Sequence, residues 1–207
     1  MRLIDAEADL AEGAAHLAAV CPVWARVLPE IGAMPLRRRT DGFPAILDAV
    51  ISQQLSVASA NAIAARLAAA GLDTPPAILS ASDEALRACG LSAPKIRYLR
   101  GIAAAGIDWP GLARLPDDEV IGTLTALPGI GRWTAEIYLM FALGRADAFA
   151  PDDLALQEAA RIMYGLPERP RGKALAELAR PWQPWRAVAA RGLWAYYRLA
   201  KGREGVT

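Results

Sequence analysis

Two short stretches combine residue types that can meet a charged polymer. In "LPGIGRWTAEIYLMFALG", residues 127–144, a proline and two glycines precede an apolar helical run, and Trp133 falls on the first turn of that run. Gly129 and Gly131 permit positive φ and keep side chains out of the turn, so successive backbone N–H groups can converge on an anion at the start of the next helix. A phosphate oxygen is the natural occupant. Leu127 and Ile130 are placed to pin the turn between its flanking helices, and Arg132 sets a cation beside the anion. The competing reading is a tight joint whose glycines serve packing alone. Downstream, in "AFAPDD", Asp152 and Asp153 follow Pro151, a pattern that on its own fits an N-cap with first-turn charge.

The elements that must hold these residues read as helices. Breakers recur every ten to fifteen residues and β-branched alternation is nearly absent, which predicts an all-α fold of roughly ten helices. They are expected at about 7–20, from Phe43 to the Ser56 cap, from there to Gly71, from Ser82 to Gly90, from Ser92 to Gly106, at 117–126, through the run after the glycine turn, at 152–163, at 171–181 and at 184–201. Pro22, Pro29 and Pro35 are expected to break up the segment after the first helix. The chain of 207 residues is 54% apolar, enough for one domain or two closely packed lobes.

Composition removes several chemistries. The single histidine, His16, rules out a histidine-based triad or a histidine-rich metal site, and Cys21 and Cys89 are too few for a zinc or iron–sulfur centre. No metal or cofactor is expected. The absence of a long uncharged apolar window, with Asp5, Glu7, Asp9 and Glu12 near the start, leads to the expectation of a soluble cytoplasmic protein with no membrane partner. Net charge is only +1, yet residues 161–207 hold ten Lys/Arg against three Asp/Glu, which leaves −6 on residues 1–160. Such asymmetry can orient a protein on a polyanion, and it also describes an ordinary solvated face.

"LPGIGRWTAEIYL" with "AFAPDDLALQ", preceded by "ISQQLS" and "LSAPKIRYLRGIA" and followed by "WQPWRAVAARGLW", resembles the helix-hairpin-helix (HhH-GPD) DNA glycosylase superfamily, in particular its AlkA-type 3-methyladenine glycosylase II branch. The similarity spans about residues 40–200. It implies a two-lobed helical fold with an active-site cleft between lobes: one lobe over about 41–143, including the hairpin at 117–143, the other over about 1–40 plus 144–207. The four-cysteine cluster of the endonuclease III branch has no counterpart here.

Through the resemblance, Asp153 becomes the essential carboxylate and Asp152 a helix cap or a neighbour. Cleaving the bond between a base and deoxyribose passes through an oxocarbenium-like sugar, which an ionised carboxylate stabilises. Branches that also cut the strand keep a lysine where this chain has Trp133, because a Schiff base needs an amine. An indole cannot form one. The resemblance therefore implies a monofunctional glycosylase, acting as a monomer on damaged double-stranded DNA, in which Trp133 and Trp194 wall the base pocket and a cationic alkylated purine gains cation–π attraction. Ile137 stands where the nearest relatives have tyrosine. The wedge that fills the emptied stack aligns with Gln54, with Gln53 on the substrate side. Lys95 is placed at backbone phosphate along with Leu127, Gly129, Gly131 and Arg132, while Arg97, Arg100 and the run Arg37–Arg39 fit either phosphate or solvent. Trp182 and Trp185 are expected in the core, Trp109 pinning a loop, and Tyr138 in packing. Two other functions stay open: a non-catalytic hairpin module that grips DNA, and a glycosylase for oxidised or deaminated bases.

Overall fold

Serine, threonine and aspartate caps, together with prolines in first turns, decide where the helices begin. The computed structural model describes residues 1–202; Arg203 and Glu204, counted above in the basic segment, lie outside the described residues. The helices are α1 (Glu7–Val20), α2 (Pro22–Ile31), α3 (Phe43–Ser52), α4 (Val57–Ala69), α5 (Pro75–Ser80), α6 (Asp83–Ala88) and α7 (Ala93–Ala104). They continue as α8 (Trp109–Leu112), α9 (Asp117–Thr125), α10 (Arg132–Phe141), α11 (Leu154–Tyr164), α12 (Lys173–Leu178) and, after a 3-10 turn at Arg180–Trp182, α13 (Arg186–Lys201). Among the described residues the only extended pairing is an isolated bridge between Leu3 and Arg145. The all-α class is what the structure has.

Three helices exceed the sequence expectation: α2, α5 and α8. Each carries proline in its first turn, where the missing N–H has no helical acceptor to lose; Pro22, expected to break the chain, instead starts α2, and Pro29, expected likewise, lies inside it. The Ser56, Thr74 and Ser82 side chains accept from the N–H groups of Ser59, Ala77 and Ala85, closing the starts of α4, α5 and α6.

The chain forms two compact units, one of Met1–Arg38 with everything from Leu139 onward, the other of Arg39–Tyr138. The division falls inside α10, between Tyr138 and Leu139. A physical reason lies in the last turn of α10: Arg38 donates to the Phe141 and Ala142 carbonyls at 3.3 and 2.8 Å, and Arg191 to that of Met140 at 3.2 Å, so both arginines hold this turn in the first unit.

In the first unit, Trp24 meets Trp182 edge-on at 5.5 Å, Phe149 meets it edge-on at 6.0 Å, and Tyr164 stacks on it at 6.3 Å. Trp182 and Trp185 are buried, as expected, and α13 packs on α11, α2 and α1. Cys21 and Cys89 are free thiols. In the second unit, Ile46, Val50 and Ile51 of α3, Ile63 and Leu67 of α4 and Ile96, Leu99 and Ile102 of α7 build the core. The close approach of α13 to α2 depends on Gly192, where an added Cβ would sit 2.7 Å from Trp24 Cζ3. Gly192→Ala gains helix propensity of ~1 kcal/mol but forces this packing apart, so a net loss of about 1–2 kcal/mol is expected in the urea unfolding free energy; an unchanged or raised midpoint contradicts the packing argument.

Candidate active site

Asp153 is the N-cap of α11. Its Oδ1 accepts from the Ala155 and Leu156 amides at 2.9 Å each, and the Trp194 indole N–H donates to the same oxygen at 3.3 Å. Helix and indole together fix the side chain's rotamer. Asp152, expected as cap or neighbour, is exposed with Oδ1 beside Gly172, so the cap role falls to Asp153 instead. Leu154, next in the chain, is 66% exposed at the start of the helix.

Trp194 is held from behind. Its ring stacks on Phe141 at 5.8 Å, and the buried guanidinium of Arg191 lies over the Phe141 ring at 4.6 Å. Arg191 donates to the Ala187, Leu36 and Met140 carbonyls. Burial, and secondarily Arg38 and Arg37, lower its pKa to about 10, which still leaves the cation in place at neutral pH. Phe141 and Arg191 gave no signal in the sequence: an apolar residue on an apolar helix and an arginine in "VAARGLW" look like core and solvent.

The glycine turn joins α9 to α10 in the second unit. Leu127 and Ile130 are buried, as pins should be. Gly129 has φ +77°, and a Cβ there would lie 2.5 Å from the Tyr98 ring. Backbone conformation and packing both demand glycine at this position. Gly131 differs, since a Cβ would meet nothing within 4 Å. Its carbonyl accepts from Ala135 N at 3.1 Å, making it the N-terminal boundary of α10, where a helix leaves first-turn amides without intrahelical acceptors. Arg132 pairs with the buried carboxylate of Glu136 at 2.9 Å while its own side chain stays 62% exposed. Trp133 is 48% exposed, in contrast to its neighbours Thr134, Ala135 and Glu136, which are buried.

The turn after α3 is bound to the hairpin. Gln53 Nε2 donates to the Gly129 carbonyl at 2.9 Å, and Gln54, exposed, has φ +60°. Lys95, expected at phosphate, instead donates to the Ile51 and Gln53 carbonyls at 2.6 and 2.9 Å; burial lowers its pKa from the usual lysine value. Arg100 likewise turns inward, to Asp83 and the Ala81 carbonyl, whereas Arg97 is exposed. Ile137 is half-buried. Tyr138 is buried: its hydroxyl donates to Asp41 and accepts from Gly42 N, and burial with the Asp41 carboxylate beside it raises its pKa well above the ordinary phenol value. Trp109 packs over Gly42 and against Tyr138 at 6.2 Å, the pinning role expected of it. The contact between Asp41 and Tyr138, which secures the start of α3, had no signature in the sequence.

Residues 47–184 match the model of the HhH-GPD superfamily of base excision DNA repair proteins, and the chain belongs to that superfamily. It is 34% identical over 206 residues to DNA-3-methyladenine glycosylase 1 of Schizosaccharomyces pombe, covering 93% of this chain and 90% of that one. Among solved structures, it is similar to a 3-methyladenine DNA glycosylase of the same yeast in complex with abasic DNA, with a TM-score of 0.76, 32% identity and coverage of 92% of this chain and 97% of that one. A DNA-3-methyladenine glycosidase from Bacillus halodurans gives a TM-score of 0.79 at 30% identity, covering 100% and 97%.

The two turn glycines should part company on substitution. Gly129→Ala is expected to cost about 2–4 kcal/mol of stability through positive φ and the clash with Tyr98, whereas Gly131→Ala stays within ~0.5 kcal/mol and weakens binding to duplex DNA. Denaturant midpoints and DNA titrations separate the two; equal stability losses refute the distinction.

Proposed function

We propose that this protein is a monofunctional DNA glycosylase that excises alkylated purines, of the 3-methyladenine and 7-methylguanine type, from duplex DNA. The observation that carries the reading is the Asp153 carboxylate, fixed by two helix amides and an indole N–H in a chain whose relatives are named 3-methyladenine glycosylases.

The chemistry follows from the substrate's charge. Alkylation at N3 or N7 makes the purine cationic, so when the bond between C1′ and N9 breaks its electron pair returns to the ring and the base leaves neutral. No general acid is required, which suits a chain whose single histidine, His16, lies in α1, remote in sequence from the hairpin and Asp153. Positive charge passes to C1′ and O4′ of the sugar. A carboxylate offers the matching negative charge there, and water adds at C1′, losing a proton and leaving an abasic sugar. In this reading the amides at the start of α10 receive a backbone phosphate, with Gly131 leaving room for its approach. The exposed Trp133 ring stacks on the extruded base, and Gln54 enters the stack it vacates.

Asp153→Asn preserves the shape of the cap and removes the charge. Base release from methylated duplex is expected to fall by at least about a hundredfold while duplex affinity is retained. Unchanged release by the variant rules out the carboxylate mechanism, and no release by the wild type, with binding intact, leaves the hairpin as a DNA-gripping module. Because the position of a Schiff-base lysine is held by Trp133, borohydride present during turnover should trap no protein–DNA adduct; a covalent adduct shows an amine nucleophile and a lyase activity.

A further inference from the structure

One side of α7 touches both turns that this reading assigns to DNA. Lys95 donates to the carbonyls of Ile51 and Gln53 at the end of α3. Three residues on, the Tyr98 ring fills the space a side chain at Gly129 would take. Another three residues on, Gly101 accepts Pro128 so closely that a Cβ would lie 2.6 Å from Pro128 Cγ. Gln53 closes the arrangement by donating to the Gly129 carbonyl. Gln54 therefore holds its left-handed φ of +60° on a turn fixed from two directions.

We propose that Lys95 is a positioning residue, which with Tyr98 and Gly101 sets the spacing between the wedge turn at Gln54 and the hairpin turn at Gly129. The ammonium acts on protein carbonyls and contacts no phosphate. Its work is to keep the wedge rigid at the moment a base leaves the stack, when a slack turn lets the base fall back. The inference rests on the wedge assignment made under the proposed function.

Lys95→Met keeps the aliphatic stem and removes the donors; Lys95→Arg restores a cation able to reach both carbonyls. Single-turnover release is measured for a 7-methylguanine paired with cytosine and for the same lesion in a mispair, where extrusion is cheaper. The expected result for Lys95→Met is a loss of about ten- to a hundredfold on the paired substrate, a clearly smaller loss on the mispair, and partial recovery with Lys95→Arg. Equal losses on both substrates mean general structural damage and overturn the proposal, as does no loss on either. A second readout does not need turnover: 2-aminopurine beside the lesion, in an Asp153→Asn background, should brighten less on binding when Lys95→Met is added. An unaltered fluorescence gain overturns the proposal. Failure of the wild type to release base from either duplex contradicts the glycosylase reading instead, and the fluorescence comparison still decides the role of Lys95.

Discussion

Oδ1 of Asp153 takes hydrogen bonds from two amides of α11 and from the indole of Trp194, and these donors come from different parts of the chain. The amides are present only if α11 starts at Leu154. The indole is present only if α13 lies against α11 with Trp194 turned toward its N-terminus. Capping at a helix start contributes ~1 kcal/mol, whereas each large apolar side chain buried in the Trp24, Phe149 and Trp182 cluster contributes about 1.5–3 kcal/mol. The core thus decides where the two helices sit, and the small polar set decides which way one carboxylate points. The stack of Phe141 on Trp194, with the buried Arg191 cation over Phe141, reinforces that choice.

The second unit solves a different problem, which is to hold backbone rather than a side chain. Gly129 is shaped by Tyr98, Pro128 is seated on Gly101, and Leu127 and Ile130 are buried on either side, so the turn is rigid before any ligand arrives. A preorganised turn spends no conformational entropy when an anion binds. The start of α3 is secured in the same way by Tyr138 with Asp41, and its end by Lys95.

Much of this was legible in residue types whose meaning is local. Glycines, prolines and small polar caps mark helix boundaries through their own backbones, so α1, α3, α4, α6, α7 and α9 lie close to their expected spans. Of the three extra helices, α2 was missed because proline in a first turn and proline as a breaker are the same letter, and only neighbouring packing decides between them at Pro22; α5 and α8, of six and four residues, are too short to show a periodic pattern. The hairpin could be named from its glycines and their flanks, and Asp153 only through the family resemblance. The hydrogen bond from Trp194 to Asp153 could not, since Trp194 lies in a separate helix and reaches the carboxylate only in the folded unit, with Phe141 stacked on its ring. Long side chains were the least legible: Lys95 and Arg100 read as solvent or phosphate groups, but each reaches a backbone carbonyl exposed at the end of another helix, and that vacancy exists only in three dimensions.

The most direct measurement is the identity of what the wild-type protein liberates from a randomly methylated DNA duplex. Small products are separated from the polymer after incubation and identified by mass. The account predicts free methylated purines, 3-methyladenine among them, appearing intact from a DNA that gains one abasic site for each base released. Duplex that is bound yet yields no free purine, or yields only unmethylated or oxidised bases, contradicts it.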